Sequence, residues 1–507
     1  MRLPRKRQPA SEDGDTIARN TLSALAVQLT TATFTAGLTL YMVRALGPTG
    51  YGVFALAVGM GSLLILPSDF GISQSTARFV AEHRGDRRAI TSLVNEAFKL
   101  KFGIAFVVCA GLFVTAGPIA SAYDNPQLVW PLRGIAIALF GQSLMLLFAG
   151  TFIALRRVSV NLRVVFSESA MEVTASLGLI LLGGGAAGAA FGRATGYIFG
   201  ALVAVFLAAR ILGRPILSIR GESSGQIRAL AGYAGALVIV DGAFTLFKQV
   251  DVVLIGLILG STAVGLFEAP MRFVTFLHYP GFAVANGVAP RVASGQAGSS
   301  EVGTFGATLR YLVIFQAALI APIVVWAEPI VDLLLGKGYE ESADVLRALA
   351  PFVFLQGIAP LVSLAVNYLG EARRRIPIAI ATVLINLGID LVLIPRIGIV
   401  GGAIGTDVAY ALYVPAHLWI CNRLLGLELR PVGLAFARSM IAAGGMAAVL
   451  VAVGTESLSP VDWILGLVAG TAAFAVILLL TREVTWAELL ALREAIGQRF
   501  RRPDTRG

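Results

Sequence analysis

At 507 residues, 57% apolar and only 14% charged, with a mean hydropathy of +0.80, the chain reads as a polytopic membrane protein and not as a soluble domain with one core. A net charge of +10 would point to nucleic acid only if the basic residues gathered on a water-facing domain, and they do not. The two cysteines, Cys109 and Cys421, both lie in apolar segments as small buried hydrophobes, which argues against a disulfide framework.

The start, Met1 to Asn20, is charged and runs straight into a long apolar segment. It lacks a short apolar core with a cleavage site, so it is read as retained and not as a removed signal peptide. Stretches of roughly 20 apolar residues, enough to cross a bilayer, fall near 21–43, 51–73, 94–116, 132–155, 166–184, 187–209, 232–256, 263–289, 306–326, 346–369, 376–395, 399–420, 436–454 and 461–481. The expected fold is therefore all-α, with about fourteen transmembrane helices. With the N-terminus in the cytoplasm, 32 of the 40 Lys and Arg residues fall on cytoplasmic segments, Lys99, Lys101, Arg310 and Arg373 to Arg375 among them. Only Arg44, Arg133, Lys337 and Arg396 fall outside. The positive-inside rule thus supports an even number of spans and both termini in the cytoplasm. The largest outside loop, near 327–345, is acidic and too short for a folded domain. The tail beyond Arg482 has helical periodicity and is expected on the cytoplasmic membrane surface.

The chain also repeats itself. Leu46-Gly47-Pro48-Thr49-Gly50-Tyr51-Gly52-Val53-Phe54 matches Leu259-Gly260-Ser261-Thr262-Ala263-Val264-Gly265-Leu266-Phe267 at an offset of 213. The same offset takes Arg78 to Arg291, and Gly185, Gly188, Gly192 and Tyr197 to Gly398, Gly401, Gly405 and Tyr410. Three windows in one register read as an internal duplication. Six spans per copy is even, so the copies are parallel repeats. The boundaries expected are a tail over 1–16, an N-lobe over 17–209, a cytoplasmic linker over 210–229 and a C-lobe over 230–420. Two further helices follow over 421–481, and a cytoplasmic amphipathic tail over 482–507.

No catalytic motif is present. There is no Gly-rich phosphate loop, and His83, His278 and His417 have no metal-ligand spacing. No metal, cofactor or covalent chemistry is expected. What remains is charge inside the spans: Asp69, Glu168, Glu172 and Arg193 in the first copy, and Asp241, Lys248, Asp251, Glu268, Arg272, Asp390 and Asp407 in the second. Each charge at a bilayer centre costs roughly 2.5–3.5 kcal/mol on insertion scales, so it must be paired, wetted or used. Lys248 with Asp251 (i,i+3) and Glu268 with Arg272 (i,i+4) share helix faces. Glu168 and Glu172 are like charges at i,i+4, so one is protonated, paired with a base or wet. Two readings stand: a polar, water-filled cavity for a hydrophilic substrate, or self-contained ion pairs that hold helices together. Shifted by 213, the charges at 241, 248, 251, 268 and 272 fall on Gln28, Thr35, Leu38, Ala55 and Gly59, so they are private to the second copy.

Tyr41 to Ala55, and Asp69-Phe70-Gly71 followed by Ala77-Arg78-Phe79-Val80-Ala81-Glu82, resemble the first-loop signature of bacterial polysaccharide-export flippases. The turn at Leu259-Gly260 and the segment from Gly398 to Thr406 fit as well, and the resemblance spans about 17–480. The family is that of the O-antigen and exopolysaccharide flippases, within the multidrug/oligosaccharidyl-lipid/polysaccharide exporter superfamily. The resemblance implies two six-helix lobes forming a V-shaped bundle, a central cationic cavity in the bacterial inner membrane, and two extra helices as a groove for a lipid tail. It implies translocation of a lipid-linked (undecaprenyl diphosphate) oligosaccharide by alternating access. Membrane lipid and a polysaccharide polymerase or glycosyltransferase are the partners it suggests. Lys248, Arg272 and Arg193 are then the candidates for the diphosphate. Acids outnumber bases in the spans, which leaves room for proton or sodium coupling at Asp241, Asp251, Glu268, Glu168 or Glu172. The alternatives are a cation-coupled multidrug exporter of the same superfamily, or a membrane-embedded polymerase or ligase of lipid-linked glycans.

Overall fold

The computed structural model describes residues 17–213, 227–292, 299–486 and 488, without the side chains of residues 17, 18, 21, 227–241 and 299. The expected N-terminal tail, most of the linker and the amphipathic tail past 488 lie outside these residues. The described chain is all-helical, with no strand. In order the helices are α1 (Ile17–Leu63), α2 (Ile65–Asp69), α3 (Ile72–Glu82), α4 (Arg87–Ala122), α5 (Val129–Ala154), α6 (Val158–Leu179) and α7 (Gly185–Leu212). Then come α8 (Ile227–Leu259), α9 (Ser261–Phe276), α10 (Tyr279–Val288), α11 (Ser299–Val325), α12 (Ala327–Leu334) and α13 (Ser342–Ala348). The last are α14 (Ala350–Tyr368), α15 (Arg375–Ile397), α16 (Ile399–Leu425), α17 (Leu429–Val453) and α18 (Pro460–Leu480).

Among the described residues, 11 helical stretches are long and apolar enough to cross a membrane, which makes this a multi-pass membrane protein. The large exposed side chains are correspondingly apolar, for example Leu182, Leu181, Val114 and Leu202, as they are on a surface meant for lipid. The chain forms two compact units, Met1–Gly265 and Leu266–Gly507, with the boundary inside α9.

In the first unit, α1 would be about 70 Å long if straight, more than twice a hydrocarbon core. It is not one rod, because Gly47 (φ 64, ψ 178) leaves helical geometry and Pro48 follows it. Gly260 (φ 88) does the same between α8 and α9. The two turns pack on each other: Thr49 Oγ1 and Thr262 Oγ1 lie 2.9 Å apart. A Cβ on Gly52 would strike the Ser261 carbonyl, and one on Gly265 the Pro48 carbonyl. Positions 48 and 261, 49 and 262, and 52 and 265 are equivalent at the offset of 213. Each turn therefore presents the same atoms to the other, as in a two-fold contact. Only glycine lets the backbones come this close.

The long pair α6 and α7 is separated by a π-helical turn ending at Gly183 (φ 87) and Gly185 (φ 51). Gly188, Gly192, Gly196 and Gly200, one per turn, lie on Leu179, Ser176, Glu172 and Glu168 of α6, so the two axes approach closely. In the second unit Gly401 and Gly405 play the same part against Leu393 and Asp390 of α15. A cluster of Val80, Ile90, Leu93, Phe148, Phe152, Ala204 and Ala208 fills the first unit where α3, α4, α5 and α7 meet.

In the second unit α17 packs on α11 and α18 on α17, and the pair is fixed at both ends of α11. At one end Trp326 Nε1 donates to the Gly454 carbonyl (2.9 Å) and its ring meets Trp463. About 24 Å back along α11, Arg310 pairs with Glu483, which Arg438 also holds. The acidic segment near 327–345 is not an open loop. It carries two short helices with Tyr339 fully buried, and Arg347 ties them through Glu328 and Asp344.

Candidate functional site

Three sets of charges are held on the helices, covered wholly or in part by their neighbours. The first sits where a helix is interrupted. Phe70 (φ 43) and Gly71 (φ 70) are both left-handed, so α2 stops at Asp69 and α3 begins two residues later. Asp69 Oδ1 accepts from the Ser73 hydroxyl, and Lys101 Nζ reaches across from α4 to both Asp69 and Ser73. Lys101 has no exposed surface, while the Asp69 side chain keeps 14%. The structure departs from the expected place of Lys101 on a cytoplasmic segment. Lys101 is not a cytoplasmic loop residue, because Asp86 caps α4 by accepting from the Arg88 and Ala89 amides, and the helix runs unbroken from Arg87. Lys101 thus lies about 21 Å along α4. The signal was present in the sequence: an Asp followed by uninterrupted helix-forming residues is a helix start.

The second set lies between α6 and α7. Arg193 Nη1 pairs with Glu172 at 2.8 Å, and Nη2 donates to the Tyr197 hydroxyl at 3.1 Å. The guanidinium also stands over the Tyr197 ring. Glu168, one turn before Glu172, is buried and accepts from the Ser169 hydroxyl at 3.0 Å. The glycine stripe of α7 lets Arg193 reach Glu172 at all, since Gly196 lies on Glu172 itself. Two carboxylates thus share one helix face, and one of them holds the arginine.

The third set is on α9. Glu268 and Arg272 form the expected i,i+4 pair at 2.7 Å. Glu268 is nearly covered (9%) and Arg272 reaches out (37%). Beyond them the helix breaks at Leu277 and His278, where His278 contacts the Gln356 carbonyl and Gln356 donates to the Val274 carbonyl. Lys248 and Asp251 share their spacing but not their burial: Asp251 is 4% exposed and Lys248 lies open. The side chain of Asp241 is outside the described set. Of the remaining acids, Asp390 is fully buried beside Asn386 (3.0 Å), and Asp407 accepts the Phe352 amide at the start of α14 (2.8 Å). The Asp390–Asn386 bond lies within α15, whereas Asp407 joins α16 to α14 and serves as a cap borrowed from another helix. Among the described residues, no group of three or more His, Cys, Asp or Glu could hold a metal ion.

Broken helices and charges paired within and between helices, in an all-helical multi-pass chain, are features of a membrane transporter fold. The sequence model of the family described as polysaccharide biosynthesis protein matches residues 17–296, more than half of the chain, and the protein belongs to that family. A second model, MatE, matches residues 236–392. A Haloferax volcanii protein assigned as a low-salt glycan biosynthesis flippase, Agl15, is 22% identical over 89% of this chain and 94% of its own length. A Shigella flexneri protein assigned as an O-antigen transporter is 18% identical over 76% of this chain and 92% of its own. Among solved structures, the lipid II flippase MurJ in an inward closed conformation shares the fold. Its TM-score is 0.70 at 12% identity, covering 93% of this chain and all of that one.

Proposed function

We propose that the protein is a flippase that carries a lipid-linked oligosaccharide, sugars on an undecaprenyl diphosphate carrier, across the plasma membrane by alternating access. The observation that carries this reading is charge pairing inside the bilayer by a member of this family. Arg193 and Arg272 are each held by a glutamate, in helices that packing alone would have kept apolar. The relatives whose names speak of glycan flipping and O-antigen transport supply the substrate class. No covalent bond is made or broken; the work is translocation.

The pairing suggests how coupling works. A diphosphate is a stronger partner for a guanidinium than a single carboxylate, because it offers more acceptor oxygens and more charge. A proton on Glu268 or Glu172 removes the competitor and leaves Arg272 or Arg193 to the diphosphate. Return of the carboxylate charge expels it. Glu168, sharing its face with Glu172, supplies a second acid for a proton or sodium ion. Lys248 and Asp251 join this machinery, as does Asp241. We read fourteen crossings: the eleven stretches, of which those broken at Gly47 and at Gly183 to Gly185 count twice, plus α9 with α10. The duplicated turns support two parallel six-helix repeats, with α17 and α18 added and both termini in the cytoplasm.

The MatE match over 236–392 favours a second reading, a cation-coupled drug exporter. A complementation experiment separates the two. In a host lacking its own flippase, the wild-type chain restores surface glycan, and Arg272→Ala with Lys248→Ala abolishes it at unchanged protein level. Normal glycan export by the double variant contradicts the cavity assignment. Failure of the wild-type chain, together with raised drug resistance, favours the exporter.

A further inference from the structure

Arg375 differs from four other cations held between the helices. Lys101, Arg193, Arg272 and Arg310 are each neutralised by a carboxylate. Arg375, at the first turn of α15, is held by three neutral acceptors instead. Nη1 donates to Asn367 Oδ1 at 2.8 Å, Nη2 to the Tyr413 hydroxyl at 3.2 Å, and Nε to His417 Nε2 at 3.4 Å. His417 is fully buried, and its Nδ1 lies 2.8 Å from the Tyr413 carbonyl, which can only accept. Nδ1 therefore carries the proton, and Nε2 presents a lone pair to Arg375. The Tyr413 ring packs at a tilt against His417 with centroids 4.1 Å apart, so the acceptors themselves are fixed.

A guanidinium has five N–H donors, and three of them are taken here by uncharged groups. Two donors and the whole positive charge have no partner among the described residues. Glu371, the nearest acid in sequence, is taken by Arg374 at 2.9 Å. Arg373 adds a further exposed cation beside it. The start of a 23-residue helix adds its partial positive charge at the same place. Arg375 stands at the end of the apolar stretch Ala372–Ile397, the depth at which phosphate groups of lipids lie. Side chains that only staple helices do not need a fixed, forked, uncompensated cation at that depth. A planar fork of this kind fits phosphate oxygens in pairs.

We propose that Arg375, with Arg373 beside it, is a receiving site for a phosphate-ester anion at the bilayer interface. It is separate from the charges inside the spans and lies on the face that the arginine distribution assigns to the cytoplasm. Two sources share this chemistry: the diphosphate of a polyprenyl carrier and the headgroup of an anionic glycerophospholipid. The site does not depend on the flippase reading, because binding is measured without a transport step.

The test uses the full-length protein in nanodiscs of neutral phosphatidylcholine. Farnesyl diphosphate is titrated in one arm, and phosphatidylglycerol is added to the disc in the other, with retained lipid read by native mass spectrometry. Arg375→Ala is expected to weaken binding by about ten- to a hundredfold, the loss typical of hydrogen bonds to a charged partner. Arg374→Ala, which removes an arginine already paired with Glu371, changes it by less than about threefold. Arg375→Gln keeps a hydrogen-bonding side chain for packing and is expected to lose binding as Arg375→Ala does, with the melting temperature serving as a fold control. Loss confined to farnesyl diphosphate assigns the site to the carrier, and loss confined to phosphatidylglycerol assigns it to membrane lipid. Unchanged affinity of both probes in a folded Arg375→Gln protein overturns the proposal and leaves Arg375 as a helix staple.

Discussion

Replacing Lys101 by Met leaves Asp69 and Ser73 without their cation, in a place where Lys101 itself has no exposed surface. Removing one member of a buried pair strands the other charge, at roughly 3–5 kcal/mol, whereas removing both strands nothing. Lys101→Met and Asp69→Asn should therefore each lower stability by about that amount. The double variant should recover most of it, with a coupling energy of about 2 kcal/mol or more. A domain of this size loses roughly 2–4 °C of melting temperature per kcal/mol, so each single change should cost on the order of 10 °C. The assay is thermal unfolding of the detergent-solubilised protein at one fixed scan rate, with membrane accumulation followed in parallel. A loss in the double variant equal to the sum of the two single losses, within about 2 °C, would refute the reasoning, because it would mean that Asp69 and Lys101 do not stabilise each other.

Gly196→Leu should wedge α7 away from Glu172, costing roughly 1–3 kcal/mol by overpacking and abolishing glycan export even though Arg193 and Glu172 are intact; thermal unfolding and complementation read the two effects. Thr49→Cys combined with Thr262→Cys should form a disulfide on mild oxidation, since the native hydroxyls touch, and a pair that stays reduced would contradict the packing of the two turns. Glu488 accepts the Thr485 amide and pairs with Arg310, and the amide first, then the guanidinium, hold its carboxyl below the usual range. Its folded value lies below its unfolded one, so its contribution is present above the ordinary carboxylate range near about 4.3 and is lost as pH falls through the folded value. Protease cleavage near 485 should accordingly speed up below about pH 4 in the wild type more than in Glu488→Gln.

Much of the fold was legible because bilayer crossing leaves a long apolar signature in the sequence. The duplicated glycines were equally legible: Gly47 and Gly260, and Gly185 and Gly398, take positive φ in matching pairs. The i,i+4 spacing correctly paired Glu268 with Arg272. It could not pair Arg193 with Glu172, which lie 21 residues apart and meet only because the α7 glycines let the helices close. Spacing put Lys248 and Asp251 on one helix face but could not tell that Asp251 is covered and Lys248 exposed, since burial is set by what packs over each residue. Lys101 escaped because hydropathy windows blur a helix that begins in water and buries a lysine farther in. Arg375 escaped for a different reason: three consecutive arginines look alike in sequence, and only Asn367, Tyr413 and His417, brought from α14 and α16, set one of them apart.

The most direct test of the central claim is the sidedness of the lipid-linked oligosaccharide after deletion of the gene. A membrane-impermeant probe is applied to intact cells and to inverted vesicles. The account predicts that complete repeat units accumulate on the cytoplasmic face, reachable only in the vesicles. Unpolymerised units on the outer face would contradict it, because they would place the protein after the flip, and an unchanged distribution would leave the drug-exporter reading in its place.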